Sequence, residues 1–170
     1  TQGETSPERA WRDAFVDLES RAMDLAIMPV DDTPSRFERR RVYEEDFVIV
    51  ARTKHPFAKD PSLRRYCESQ HVVVSDSGDP YGFVDEHLAR QKRSRRVALT
   101  VPNFFFALAV VAETDLIAAV PRRFAAMQAA RFKLAAREAP LRMPTFSINA
   151  VTPKAAMMDA GIFWLFDLLT

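Results

Sequence analysis

The chain alternates short apolar runs with amphipathic stretches. Trp11, Ala14, Phe15, Leu18 and Ala22 recur at helical spacing and predict a first helix. Its start has two readings: Ser6 as N-cap with Pro7 in the first turn, or Thr5 as N-cap with Glu8 closing a capping box. Residues 24–28 form an apolar run halted by Pro29 and predict a buried strand. Residues 31–41 are polar and charge-rich around Pro34, which predicts a surface loop. A second strong strand is predicted at 46–51, then a loop with Pro56 and Pro61. Further strands are predicted at 71–75, 96–101, 116–120, 133–137 and 145–151. Helices are predicted at 62–69, 81–91, 103–112, 121–130 and 157–169.

Repeated strand-then-helix order predicts a mainly parallel sheet with helices on its faces. Two strands, 46–53 and 146–151, have the character of crossings between two lobes. The chain would enter a second lobe at about residue 51 and return at about residue 145.

At 170 residues and 48% hydrophobic content, the chain has material for a real core, so overall disorder is excluded. Its formal net charge of +1 argues against a dedicated nucleic-acid module. Arg39–Arg41 and the run from Lys92 to Arg96 read as solvated surface, the first among acids and the second at a helix end that suits cations. The longest apolar runs, such as 104–112, are much shorter than the roughly 20 residues a spanning helix needs. The start shows no leader pattern and no Met, so the chain reads as a piece of something longer.

One cysteine, Cys67, and three scattered histidines supply no metal-ligand set and no partnered catalytic group. Four glycines supply no phosphate-binding loop, and Ser75 lacks a nucleophile-elbow context. No enzyme activity and no cofactor are therefore expected.

Ligand chemistry is expected where strands end and helices begin. Free backbone N–H groups and the helix dipole there favour a small acid. Thr5/Ser6, Ser75/Asp76/Ser77 and Thr100/Asn103 occupy such junctions, where each residue also suits capping its own helix. Phe104-Phe105-Phe106 is either core packing or, at Phe104, a ring against an apolar part of a ligand.

Four segments together resemble the regulatory domain of LysR-type transcriptional regulators. Asp24-Leu25-Ala26-Ile27 is similar to the family's Asp-Leu-Ala-Ile strand. Residues 45–50 followed by His55-Pro56-Phe57-Ala58 resemble its crossing strand and His-Pro-Leu-Ala loop. Residues 115–123, ending in Pro121-Arg122-Arg123, and the terminal Phe163-Trp164-Leu165 resemble its later signatures. The Arg-Arg-Val run before Phe104 resembles the nodulation-regulator-like branch.

The resemblance implies an α/β fold like type 2 periplasmic binding proteins, with two lobes joined by two crossing strands around an effector cleft. Lobe I would comprise 1–50 and 145–170, and lobe II 51–144. The first strand and helix of lobe I, and a helix-turn-helix DNA-binding domain, would precede Thr1. Carried over by position, the cleft would be lined by Thr5, Ser6, Pro29, Ser75, Asp76, Pro102, Asn103 and Phe104.

The implied partners are a small-molecule effector, an acid or an aromatic compound, and further copies in a homodimer or homotetramer. The first helix and the 81–91 helix would take part in that pairing, with Trp11 and Phe15 at the interface. DNA would be bound only through the absent domain, in the cytoplasm and without a membrane. Alternatives are a transporter's solute-binding protein of the same fold, or an enzyme on a related scaffold.

Overall fold

A computed structural model describes residues 7–75 and 77–169, with side chains from residue 13 onward. Thr5, Ser6 and Asp76, together with the Trp11 side chain, lie outside the described residues. The chain divides into two compact units, Thr1–Glu45 with Thr145–Thr170, and Asp46–Pro144.

In the first unit, helix α1 (Pro7–Glu19) packs on a three-stranded antiparallel sheet. Its strands are β1 (Ala26–Met28), β2 (Phe37–Glu45) and β8 (Phe146–Pro153), with β8 in the centre. Leu18, Met28, Val30, Phe37 and Val151 form the core, with Ala14, Phe15 and Met23 packed against it. Phe15 lies 4.9 Å from Phe37 and packs half-buried against this core. A short 3-10 helix (Lys154–Met158) and helix α7 (Ala160–Leu169) end the chain, where the sequence predicts one continuous helix. The break falls at Asp159, whose Oδ1 accepts the N–H groups of Gly161 and Ile162 and so caps α7 afresh.

Strand β2 corrects the predicted loop at 31–41. Its Glu-Arg-Arg-Arg sequence hides a strand because β2 lies at a sheet edge, where charged side chains are tolerated. The arginines are engaged rather than merely solvated. Arg39 donates to the carbonyls of Val30 and Asp31, and Arg40 pairs with Asp167 at 3.2 Å and lies over the Phe166 ring.

The second unit holds a five-stranded sheet in the order β5-β4-β6-β3-β7. These are β3 (Phe47–Arg52), β4 (Gln70–Val74), β5 (Arg96–Val101), β6 (Leu116–Pro121) and β7 (Leu134–Glu138). The predicted mainly parallel sheet is corrected to a mixed one. Strands β5, β4 and β6 are parallel, whereas β3 runs antiparallel to both β6 and β7. An apolar run reads the same in either direction, so periodicity carries no information on strand polarity. Here the β6-to-β7 connection passes over β3 and leaves it antiparallel between them.

Strand β3 is buried on both faces and separates two layers. Val48 and Val50 face the layer built with α5 (Phe104–Glu113) and α6 (Arg122–Gln128). Ile49 and Ala51 face α2 (Pro56–Lys59), α3 (Leu63–Glu68) and α4 (Phe83–Arg90). The predicted loop at Pro56 contains the short helix α2, capped by His55, whose Nδ1 accepts the Phe57 N–H at 3.1 Å. Among the described residues no helix is long and apolar enough to cross a membrane.

Candidate functional site

Strands β4 and β5 are adjacent and parallel, so their carboxyl ends lie side by side. Val74 is level with Val101, and the Ser75 N–H donates to the Val101 carbonyl at 2.9 Å. Ser75 and Pro102 are therefore the first residues past the same edge of one sheet. Asn103 follows as the N-cap of α5. Its Oδ1 accepts the Phe106 N–H at 2.9 Å, and its carbonyl accepts the Ala107 N–H at 3.1 Å. The N–H groups of Phe104 and Phe105 take no partner among the described residues, as expected for a first helical turn.

On the β4 side, half-buried Ser75 places its Oγ 3.2 Å from that of Ser77. Ser77 accepts the Asp79 N–H, and Asp79 accepts the Tyr81 N–H at 2.9 Å. Gly78 sits at φ 77°, which an L side chain rarely adopts, and lets this loop turn back. The loop delivers Tyr81, which is 76% exposed, and Phe83, whose ring lies 6.1 Å from Phe47. The edge thus offers hydroxyls, two free N–H groups, a helix dipole and exposed rings. That set can hold a carboxylate and a flat apolar body together.

Helix α5 has apolar side chains on most of its circumference, and its rings divide by direction. Phe104 is half-buried, 5.9 Å from Phe124 and against the core. Phe105 and Phe106 are each 54% exposed, and Phe105 meets Phe124 edge-on at 4.8 Å. Sequence reasoning singled out Phe104; the rings most available to a ligand are the two that follow it. The Asn103 cap sets where the helix begins, but only packing on the core decides which side of that first turn is covered.

The structure brings Ser75, Pro102, Asn103 and Phe104 to one sheet edge. Pro29 belongs to the other unit, half-buried after β1. Its neighbourhood is fixed by buried Asn149, whose Nδ2 donates to the Val30 carbonyl at 2.7 Å. A cavity of about 400 Å³ in the first unit, lined by Leu18, Met23, Asp24, Pro153, Asp159 and Ile162 among others, includes none of the candidate residues.

Two of the three histidines are buried parts of the fold. His71 is buried, bonds the Tyr66 carbonyl at 2.9 Å through Nε2, and is lowered to about 4 by burial, so it stays neutral. His55 is likewise held below its usual value, mainly by burial. Among the described residues, no group of three or more His, Cys, Asp or Glu could hold a metal ion.

Residues 7–170 match the family described as the LysR substrate binding domain. The chain belongs to that family. Its fold is the α/β fold of LysR regulatory domains, of the type 2 periplasmic-binding kind. This LysR substrate-binding domain is similar to the HTH-type transcriptional activator NagR of Ralstonia sp, at 36% identity over 153 residues. That match covers 89% of this chain and 51% of NagR. The activator NahR of Pseudomonas putida is 32% identical over 158 residues, covering 90% of this chain and 53% of NahR. The chain therefore spans about half the length of these relatives. Among solved structures, the regulatory domain of MexT, a transcriptional activator in Pseudomonas aeruginosa, aligns with a TM-score of 0.74 and 29% identity. It covers 91% of this chain and 76% of that one.

Proposed function

We propose that this domain senses a small organic acid or aromatic compound at the β4–β5 edge, and that occupancy is read out by a DNA-binding transcriptional regulator. The observation that carries this reading is the juxtaposition of the Ser75 hydroxyl with the capped start of α5 on neighbouring parallel strands. Ser75, Pro102, Asn103 and Phe104, with Phe105 and Phe106 added, form the ligand-binding set from the second unit. Pro29, Thr5, Ser6 and Asp76 are the remaining members.

NagR and NahR are HTH-type transcriptional activators. That kinship supports transcription regulation through a helix-turn-helix as the role of the whole protein; a dimer or tetramer in the bacterial cytoplasm belongs to the same proposal. The relatives favour this over a transporter component. A ligand shifts such a regulator only through its difference in affinity between two states, so no covalent step is required.

A thermal-shift screen of small carboxylic acids and aromatics tests the reading. A true effector raises the melting temperature with concentration. Ser75→Ala and Asn103→Ala should each blunt that rise. Parent-like responses in both variants would remove this edge from the site.

A further inference from the structure

The near-neutral total hides a separation of charge. Residues 46–144 carry 16 Lys and Arg against 10 Asp and Glu, a formal +6. The remaining residues carry 8 against 13, or −5.

Strand register shows where much of the positive surplus lies. Arg96 is level with Gln70, and Gln70 with Leu116. Val50 is level with Ala118, which sets Arg52 opposite Leu116, and Arg52 pairs with Leu134. All five strands therefore share one end, where parallel strands β4, β5 and β6 begin. Ser75 and Asn103 lie past the opposite end, about 17–20 Å away along the strands.

Cations gather at the shared end. Lys92 and Arg93 occupy the turn before Arg96, held by 2.9 Å bonds from their N–H groups to the Ala89 and Leu88 carbonyls. Lys54 follows Arg52, and Arg131 and Lys133 precede Leu134. Lys54, Lys92, Arg93, Arg96, Arg131 and Lys133 are exposed. Of these, Lys54, Lys92, Arg93, Arg96 and Lys133 make no ion pair among the described residues. The acids nearby are Asp115, which Arg52 engages, Glu113, and Glu68, which lies against Arg64 and Arg65.

We propose that this strand-start edge binds the phosphate backbone of duplex DNA without reading sequence, so that the sensing domain adds its own contact to DNA. The row crosses four inter-strand gaps, about 19 Å. A line of uncommitted cations suits a linear polyanion, whose binding releases counterions. The acidic unit of a second copy is the rival occupant, and four of its carboxylates are already engaged. Glu19 pairs with Arg36, Glu44 with Arg41 and Asp167 with Arg40, while Asp159 caps α7. The proposal goes beyond effector sensing and concerns the opposite end of the sheet.

The test is fluorescence anisotropy of a labelled duplex of arbitrary sequence, titrated with this chain over a range of salt. The parent should bind in the non-specific range, about 10⁻⁴ to 10⁻⁶ M, and weaken as salt rises. The triple variant K92E/R93E/R96E should lose at least about tenfold in affinity. Its slope of log affinity against log salt should shrink by about 2.7, for three phosphates at about 0.9 each. Lys154→Glu, on the other unit, should bind as the parent does. Circular dichroism melts check folding, and K92Q/R93Q/R96Q replaces the charge reversal if that variant melts early. Parent-like binding by the folded triple variant overturns the proposal, as does a parent without salt-dependent binding. Loss of self-association in sedimentation, with duplex binding unchanged, would reassign the edge to a contact between copies. An effector's thermal shift should survive the triple substitution, so failure here is distinguishable from failure of the sensing site.

Discussion

Arg95 grips Asp85 with two parallel hydrogen bonds, Nε to Oδ1 at 2.9 Å and Nη2 to Oδ2 at 2.8 Å. The side chains are only 6% and 19% exposed. The pair ties the segment before β5 to the first turn of α4, where Asp85 Oδ2 also accepts the Gly82 N–H. Arg95 Nη1 reaches the Tyr66 hydroxyl at 3.4 Å, which brings in α3. One ion pair thereby fixes three elements on the side of the sheet that leads to the Ser75 loop.

Removing one partner leaves the other charge without its counterpart. Asp85→Ala should destabilise the protein by about 3 kcal/mol, while replacing both residues with apolar ones should cost much less. Urea denaturation at neutral pH measures both. Burial pushes the Asp85 carboxyl up, but the Arg95 hydrogen bonds and charge outweigh it and hold the carboxyl below its usual value. The pair's contribution is therefore complete above the usual aspartate range and is lost as pH falls through the lowered value.

His71 adds a second acid sensitivity with a different window. Its folded value of about 4 lies below the ordinary 6.5, so the unfolded chain takes up the proton first. Stability should fall as pH drops from about 6.5 to about 4, by up to about 3 kcal/mol. His71→Leu should flatten the denaturation midpoint across that window, leaving the smaller contribution of His55. An unchanged pH profile in the variant would contradict this assignment.

Asn103 has two separable duties. Asn103→Ala should cost about 1 kcal/mol through loss of the α5 cap. Asn103→Asp retains a capping oxygen and suits the helix dipole, so it should keep stability. It also adds a negative charge where a carboxylate would sit, so it should weaken an acidic effector's thermal shift strongly. A neutral aromatic effector should be far less affected, which separates the two ligand classes.

Phe166 is the main buried anchor of α7, fully covered and stacked under Arg40. Phe166→Ala should cost about 3–5 kcal/mol. Arg40→Met, which keeps an apolar cover and loses an exposed ion pair, should stay within about 1 kcal/mol of the parent. Chemical denaturation of the two variants compares them directly.

The chain alone carries most of the element order and the junctions where ligand chemistry gathers. Apolar period and capping residues are local signals, and Asn103 caps α5 at the position its sequence context suggests. It also determined the separation of charge, which is a matter of counting. Tertiary structure alone decided strand polarity, because the apolar run of β3 is symmetric to reversal. It alone revealed β2, whose arginines conceal a strand until an edge position and their partners are known. It turned Phe104 toward the core and left Phe105 and Phe106 more than half exposed, since only packing against the core cluster decides which ring is covered. Residues far apart in sequence, such as Arg52, Lys92 and Lys133, became one edge only through the pairing of strands.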